Sequence, residues 1–111
     1  MDLSAEQQGD VTVVSIVGSV DALTAGEVMS YFERQVSEGA TRLVADLRAV
    51  DYVSSAGLRS FLATLKAARQ AGGDLRLAGA QDNVHKVLAM AGFTSILKTY
   101  PNVETAVNSF A

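Results

Sequence analysis

The sequence predicts an α/β fold: a mixed, mostly parallel β-sheet packed with about four α-helices, in the order β-β-α-β-α-β-α-β-α. Three observations predict it. β-branched runs alternate with segments whose apolar residues recur at helical spacing. Glycines, single or paired, punctuate the joins. Strands separated by helices, with no linker long enough to divide the chain, imply parallel pairing and helices laid over the sheet. The 111 residues suit one domain, 1–111, and a composition 49% apolar and 19% charged supplies one ordinary core.

Val11-Thr12-Val13-Val14-Ser15-Ile16-Val17 is β-branched almost throughout and is expected to form a buried strand closing at Gly18. A weaker segment from about Leu3 to Gln8 pairs with it across a Gly9-Asp10 turn. Thr24-Ala25-Gly26-Glu27 matches a capping box, so Thr24 is expected to cap the first helix. Behind it Ala25, Val28, Met29, Phe32 and Val36 share one face, Glu33, Arg34 and Glu38 point outward, and Gly39 ends the helix. Arg42-Leu43-Val44-Ala45-Asp46-Leu47 reads as a second buried strand, and Ala49 to Val53 as an extended connection.

Leu58, Phe61, Leu62 and Leu65 then define a second helix, with Arg59, Lys66 and Arg69 opposite and Gly72-Gly73 as the stop. Asp74-Leu75-Arg76-Leu77-Ala78 is a short strand. Val84, Val87, Leu88 and Ala91 mark a third helix closed by Gly92, and Ile96-Leu97-Lys98-Thr99-Tyr100 supplies a last strand. Asn102 caps a closing helix carrying Val103, Ala106, Val107 and Phe110.

Composition narrows the chemistry. With no cysteine there are no disulfides, thiol nucleophiles or thiolate metal sites. The net charge is −3 and Lys and Arg are scattered singly, which argues against direct nucleic-acid binding. Met1 to Gln8 has neither the basic start nor the apolar core of a signal peptide, and no apolar run reaches a membrane span. A cytoplasmic protein without membrane insertion is expected. Neither the phosphate-binding Gly-x-x-x-x-Gly-Lys-Ser/Thr pattern nor Gly-x-Gly-x-x-Gly is present, so no nucleotide cofactor is expected. The single histidine, His85, falls on the polar side of the third helix, and Gly-x-Ser-x-Gly is missing. Asp46 and Asp51 lack a recognised metal-ligand spacing, so neither a metal site nor an enzyme is expected.

The segment that stands out runs from Asp46 to Arg59, joining the middle strand to the second helix. Ser54 and Ser55 stand where a helix begins. Either hydroxyl there can cap an orphan backbone N–H. A helix start is also a natural seat for an anion, and phosphorylation adds about −1.5 to −2 of charge. The helix dipole favours such an anion, so the fold survives, while a partner meeting that surface faces a desolvated charge.

Taken with Gly18-Ser19-Val20-Asp21, Gly72-Gly73-Asp74-Leu75 and Val87-Leu88-Ala91-Gly92-Phe93, the Tyr52-Val53-Ser54-Ser55-Ala56-Gly57-Leu58 segment makes the chain resemble a bacterial anti-sigma factor antagonist of the STAS family. The likeness covers nearly the whole sequence. It implies a STAS-like fold and a non-enzymatic role in partner switching. The unmodified antagonist binds an anti-sigma factor, itself a serine kinase of nucleotide-binding fold, and so frees a sigma factor for transcription. Phosphorylation of one serine by that kinase releases the antagonist, and a PP2C-type phosphatase resets it. By register the acceptor is Ser55, with Ser54 the alternative. The implied partner surface comprises Asp21, Ser54, Ser55, Ala56, Gly57 and Arg59.

Three positions depart from the family's usual Asp-Ser-Ser/Thr-Gly-Leu-Gly: Ser54 replaces the aspartate, Ala56 the second hydroxyl residue and Arg59 the glycine. Arg59 either pairs with a phosphate on Ser55 or is solvated. Two rival readings are a non-switching STAS adaptor in a transport or signalling complex, with Ser55 only a helix cap, and a small-ligand binder or enzyme with its site at the strand ends.

Overall fold

The computed structural model describes residues Met1–Ala111. Five strands form one sheet in the order β1-β2-β3-β4-β5: β1 (Asp2–Gln8), β2 (Val11–Val20), β3 (Arg42–Val53), β4 (Asp74–Ala78) and β5 (Thr99–Tyr100). β1 is antiparallel to β2, and every later neighbour is parallel. The helices are α1 (Ala25–Ser37), α2 (Ser55–Gln70), α3 (Asp82–Met90) and α4 (Val103–Asn108), with a 3₁₀ turn at Phe93–Ser95. The α/β class, the element order and the mostly parallel mixed sheet agree with the expectation from sequence.

Gln8 stands opposite Val11, so Gly9-Asp10 makes a two-residue hairpin with Gly9 at φ +64. From β2 onward each crossover steps one strand in the same direction, and a single handedness then puts α1, α2 and α3 on one face. Phe32 from α1, Phe61 and Leu65 from α2 and Leu88 from α3 pack there against Val14, Ile16, Leu43, Leu47, Leu75 and Leu77. On the other face Ala106 of α4 meets Val11, Val13, Val44 and Ala78.

Several boundaries differ from the expectation. β2 does not close at Gly18 but continues to Val20. The supposed connection Ala49–Val53 belongs to β3, which runs unbroken for 12 residues. Two register shifts, between Ser15 and Val17 and between Gly18 and Ser19, explain why it was hard to read. At each shift β3 has one residue more than β2, so Leu47, Val50 and Val53 all reach the core at a spacing of three. The two-residue alternation that identifies strands is thereby lost.

The last strand shrinks to Thr99–Tyr100, because Phe93–Ser95 turns and Leu97 drops into the core while Ile96 stays exposed. Ala91 is no part of the apolar face of α3; it is the exposed C-cap. Asn102 does cap α4, its Oδ1 accepting from the Thr105 N–H at 2.8 Å. Phe110 lies just past α4, beneath the Arg76 guanidinium at 4.0 Å.

Candidate functional site

β2 and β3 end side by side, Val20 opposite Val53, and the two loops that leave them are joined at once. The Ser54 N–H donates to the Val20 carbonyl at 2.9 Å. Ser54 itself is extended (φ −89, ψ 177) and is the N-cap of α2, its Oγ accepting from the Gly57 N–H at 3.3 Å. Its carbonyl then accepts the Leu58 N–H at 2.9 Å, and Leu58, only 8% exposed, pins the first turn to the core.

Gly57 is what lets this turn rest on the sheet. A Cβ at that position would stand 2.5 Å from the Val20 carbonyl oxygen and 2.9 Å from Val53 Cγ1. The helix start and the end of β2 therefore approach as closely as backbone allows.

Ser55 is the first residue of α2 and is exposed; no hydrogen bond within the chain engages its hydroxyl. The first turn of α2 contains no acidic residue, so the positive end of its dipole has no carboxylate of its own. Arg59 lies four residues on, on the same side of the helix, exposed and outside the chain's four ion pairs. Ala56 is half-buried and Gly57 is buried.

Asp21, on the loop from β2 to α1, lies near this start through Val20. Its Oδ1 accepts from the backbone N–H groups of Leu23 (2.9 Å) and Thr24 (3.2 Å). Its own N–H donates to Thr24 Oγ1 at 3.0 Å, and that hydroxyl donates to the Ser19 carbonyl at 2.7 Å. The capping box expected at Thr24 is therefore not formed. Thr24 occupies the N-cap position of α1, but its side chain caps nothing, because it is committed to the turn behind it. The loop so fastened holds Leu23 out 92% exposed.

Asp51, read only as an unsuitable metal ligand, instead fastens this end of the sheet. Ser19 Oγ donates to Asp51 Oδ1 at 2.7 Å, and Asn83 Nδ2 at the start of α3 donates to the Asp51 carbonyl at 2.7 Å. Beside it Tyr52 is 52% exposed. Sequence reasoning passed over Leu23, and took Tyr52 only as part of the Tyr52–Leu58 segment without placing it on the partner surface. The available signal was a leucine and a tyrosine among turn and loop residues with no helical or strand phase to explain them.

Asp46 is buried, and both its carboxylate oxygens are bound by Arg48: Nε to Oδ1 at 3.0 Å, Nη2 to Oδ2 at 2.7 Å, and the Arg48 backbone N–H to Oδ1 at 3.1 Å. Burial pushes this carboxyl up, but the hydrogen bonds and charge of Arg48, helped by Ser15, more than offset it and leave the group below the ordinary aspartate value. The same pairing holds the Arg48 guanidinium above its usual value. His85 is exposed on α3, as its polar phase suggested. No three His, Asp or Glu side chains converge as metal ligands, and no helix is long and apolar enough to cross a membrane.

Residues 2–106 match the model of the STAS domain family. The chain is 33% identical over 110 residues to BtrV of Bordetella bronchiseptica, a protein assigned as an anti-sigma factor antagonist, covering 99% of this chain and 95% of that one. It is 34% identical over 104 residues to the anti-sigma-B factor antagonist of Listeria monocytogenes, covering 93% and 90%. The solved structure of the Bacillus anti-sigma factor antagonist SpoIIAA in its unphosphorylated form superposes with a TM-score of 0.82 at 16% identity, covering 98% and 96%. Its phosphorylated form gives 0.73 at 15%, covering 99% and 100%. These last two likenesses are of fold.

Proposed function

Because the chain belongs to the STAS domain family, we propose that it is an anti-sigma factor antagonist, working by binding rather than catalysis. Its unmodified form binds an anti-sigma factor that is a serine kinase of nucleotide-binding fold, and so releases a sigma factor. Phosphorylation at Ser55 ends that binding, and a PP2C-type phosphatase restores it. Asp21, Ser54, Ser55, Ala56, Gly57 and Arg59 lie on or beneath the partner surface. The names of the BtrV and Listeria relatives support the role. Solved forms of SpoIIAA with and without phosphate both share this fold, so a fold of this kind tolerates the modification.

The observation that carries the choice of acceptor is the unequal use of two adjacent hydroxyls. Ser54 Oγ is committed to the Gly57 N–H, whereas the Ser55 hydroxyl is exposed and unengaged. A phosphate there sits at a helix end without a competing carboxylate, so it is tolerated by the fold. A partner that closes over it must desolvate a charge of about −1.5 to −2. Every ~1.4 kcal/mol of that penalty weakens binding tenfold.

The test is direct. Purified protein is incubated with ATP and each serine-kinase anti-sigma factor of its own genome, and the phosphate is located by peptide mass spectrometry. Phosphate on residue 55 is expected, with Ser55→Ala unmodified and Ser55→Glu binding at least tenfold more weakly. Ser54→Ala should still be phosphorylated. Phosphate on Ser54, or none from a kinase active on other substrates, refutes the assignment.

A further inference from the structure

We infer that Leu23 is the apolar anchor with which this protein grips its anti-sigma factor, and that Asp21 acts as a positioning residue that presents it. The inference rests on the proposed antagonist role. It assigns the loop between β2 and α1 a contact different in kind from the acidic one that Asp21 would offer.

Asp21 is turned to its own loop. Its Oδ1 receives two backbone N–H groups, those of Leu23 and Thr24, and its carbonyl accepts from the Thr24 and Ala25 N–H groups at 3.2 and 2.8 Å. Thr24 Oγ1 closes the turn between the Asp21 N–H and the Ser19 carbonyl. Such a carboxylate works chiefly as a hydrogen-bond acceptor inside a rigid turn.

The side chain displayed by this turn is Leu23, exposed to 92%. A leucine on a loose loop would lose its gain on binding to the entropy of ordering the loop. Here the loop is already ordered by its own bonds, so the partner collects most of the burial energy. The turn is also continuous with the switch, because Val20, one residue before it, accepts the Ser54 N–H and sets the approach of Gly57. The matching feature on the partner is an apolar socket beside the site where it meets Ser55. A lipid surface is a poorer match: the chain carries a net −3, and one leucine does not hold a protein to a membrane.

Substitutions at two positions separate an apolar anchor from an acidic contact. With the kinase that binds the wild type, Leu23→Ser should weaken binding roughly 10- to 100-fold, the value of burying one leucine side chain, while Leu23→Met stays within a few-fold. Because Leu23 is exposed, the urea midpoint of Leu23→Ser should match the wild type. Asp21→Ala should weaken binding and speed hydrogen exchange at the Leu23 and Thr24 amides. Asp21→Asn keeps an Oδ1 acceptor and should restore both. If Leu23→Ser binds within twofold of wild type, or if Asp21→Asn fails as badly as Asp21→Ala, the inference is overturned although the antagonist role stands. If the wild type binds none of its genome's anti-sigma kinases, both fall.

Discussion

Gly57→Ala sets helix propensity against steric fit. In an exposed helix the change would stabilise by about 1 kcal/mol. At residue 57 the new methyl carbon would lie 2.5 Å from the Val20 carbonyl oxygen, where ordinary contact begins near 3.4 Å, so about 0.9 Å must be found. None of the obstructing atoms yields easily. The carbonyl is held by the Ser54 N–H at 2.9 Å, and Val20 and Val53 are core residues at 0% and 2% exposure. Overpacking of this kind costs about 1–3 kcal/mol, here toward the upper end. The net expectation is a loss of about 1–2 kcal/mol, or a Tm lower by about 4–8 °C for a chain of this length. Urea unfolding, with the m-value checked for constancy, measures it. Gly26→Ala in the first turn of α1 is the control: it has no neighbour within 4 Å and no positive φ, and should gain up to about 1 kcal/mol. A Gly57→Ala protein as stable as the wild type, or more so, would refute the close-approach argument.

Leu58→Ala should cost about 2–5 kcal/mol in the same assay, since an 8% exposed leucine leaves a cavity under the first turn of α2; a loss below about 1 kcal/mol would mean the side chain does not support that turn. Asp46 should make stability depend on acid. Its folded pKa lies below the unfolded value, so its contribution is complete above about pH 4 and disappears as pH falls through the folded pKa. Asp46→Asn should therefore be less stable than wild type at pH 7 and approach it as the pH is lowered below the unfolded value and through the depressed folded one, as read from urea midpoints. A stability gap that stays constant from pH 7 down through acid would contradict the pairing with Arg48.

The helices and the core were readable wherever the period of the chain was regular. Phe61 and Leu65 fall at helical spacing and are buried in α2 as that spacing requires, and the Val11–Val17 run lies in β2. Reading failed where tertiary contacts change the local pattern. Ala49–Val53 looked like a connection because two register shifts replace alternation by a spacing of three, and a shift is a property of the pair of strands, not of either one. Thr24 looked like a cap because Thr-x-x-Glu is a capping pattern, but the Ser19 carbonyl and Asp21, brought beside it by the turn, compete for the same hydroxyl. Ala91 continues the helical spacing of Val84, Val87 and Leu88, and Ile96 opens an apolar run that reads as a strand, but a helix end and a 3₁₀ turn move them outward.

By itself the sequence determined the α/β class, the order of elements, the resemblance to the STAS family and the stretch from Asp46 to Arg59 in which function was sought. Those follow from periodicity and motif, which are local in the chain. Which of two adjacent serines is committed to the fold, why a methyl at residue 57 is crowded, and that Asp21 faces its own turn while Leu23 faces solvent were decided by the tertiary structure. Each depends on β2 and β3 ending together, with residue 20 meeting residues 54 and 57 across more than thirty positions of sequence. Backbone groups that close a loop at such a distance leave no periodic trace in the residues between them.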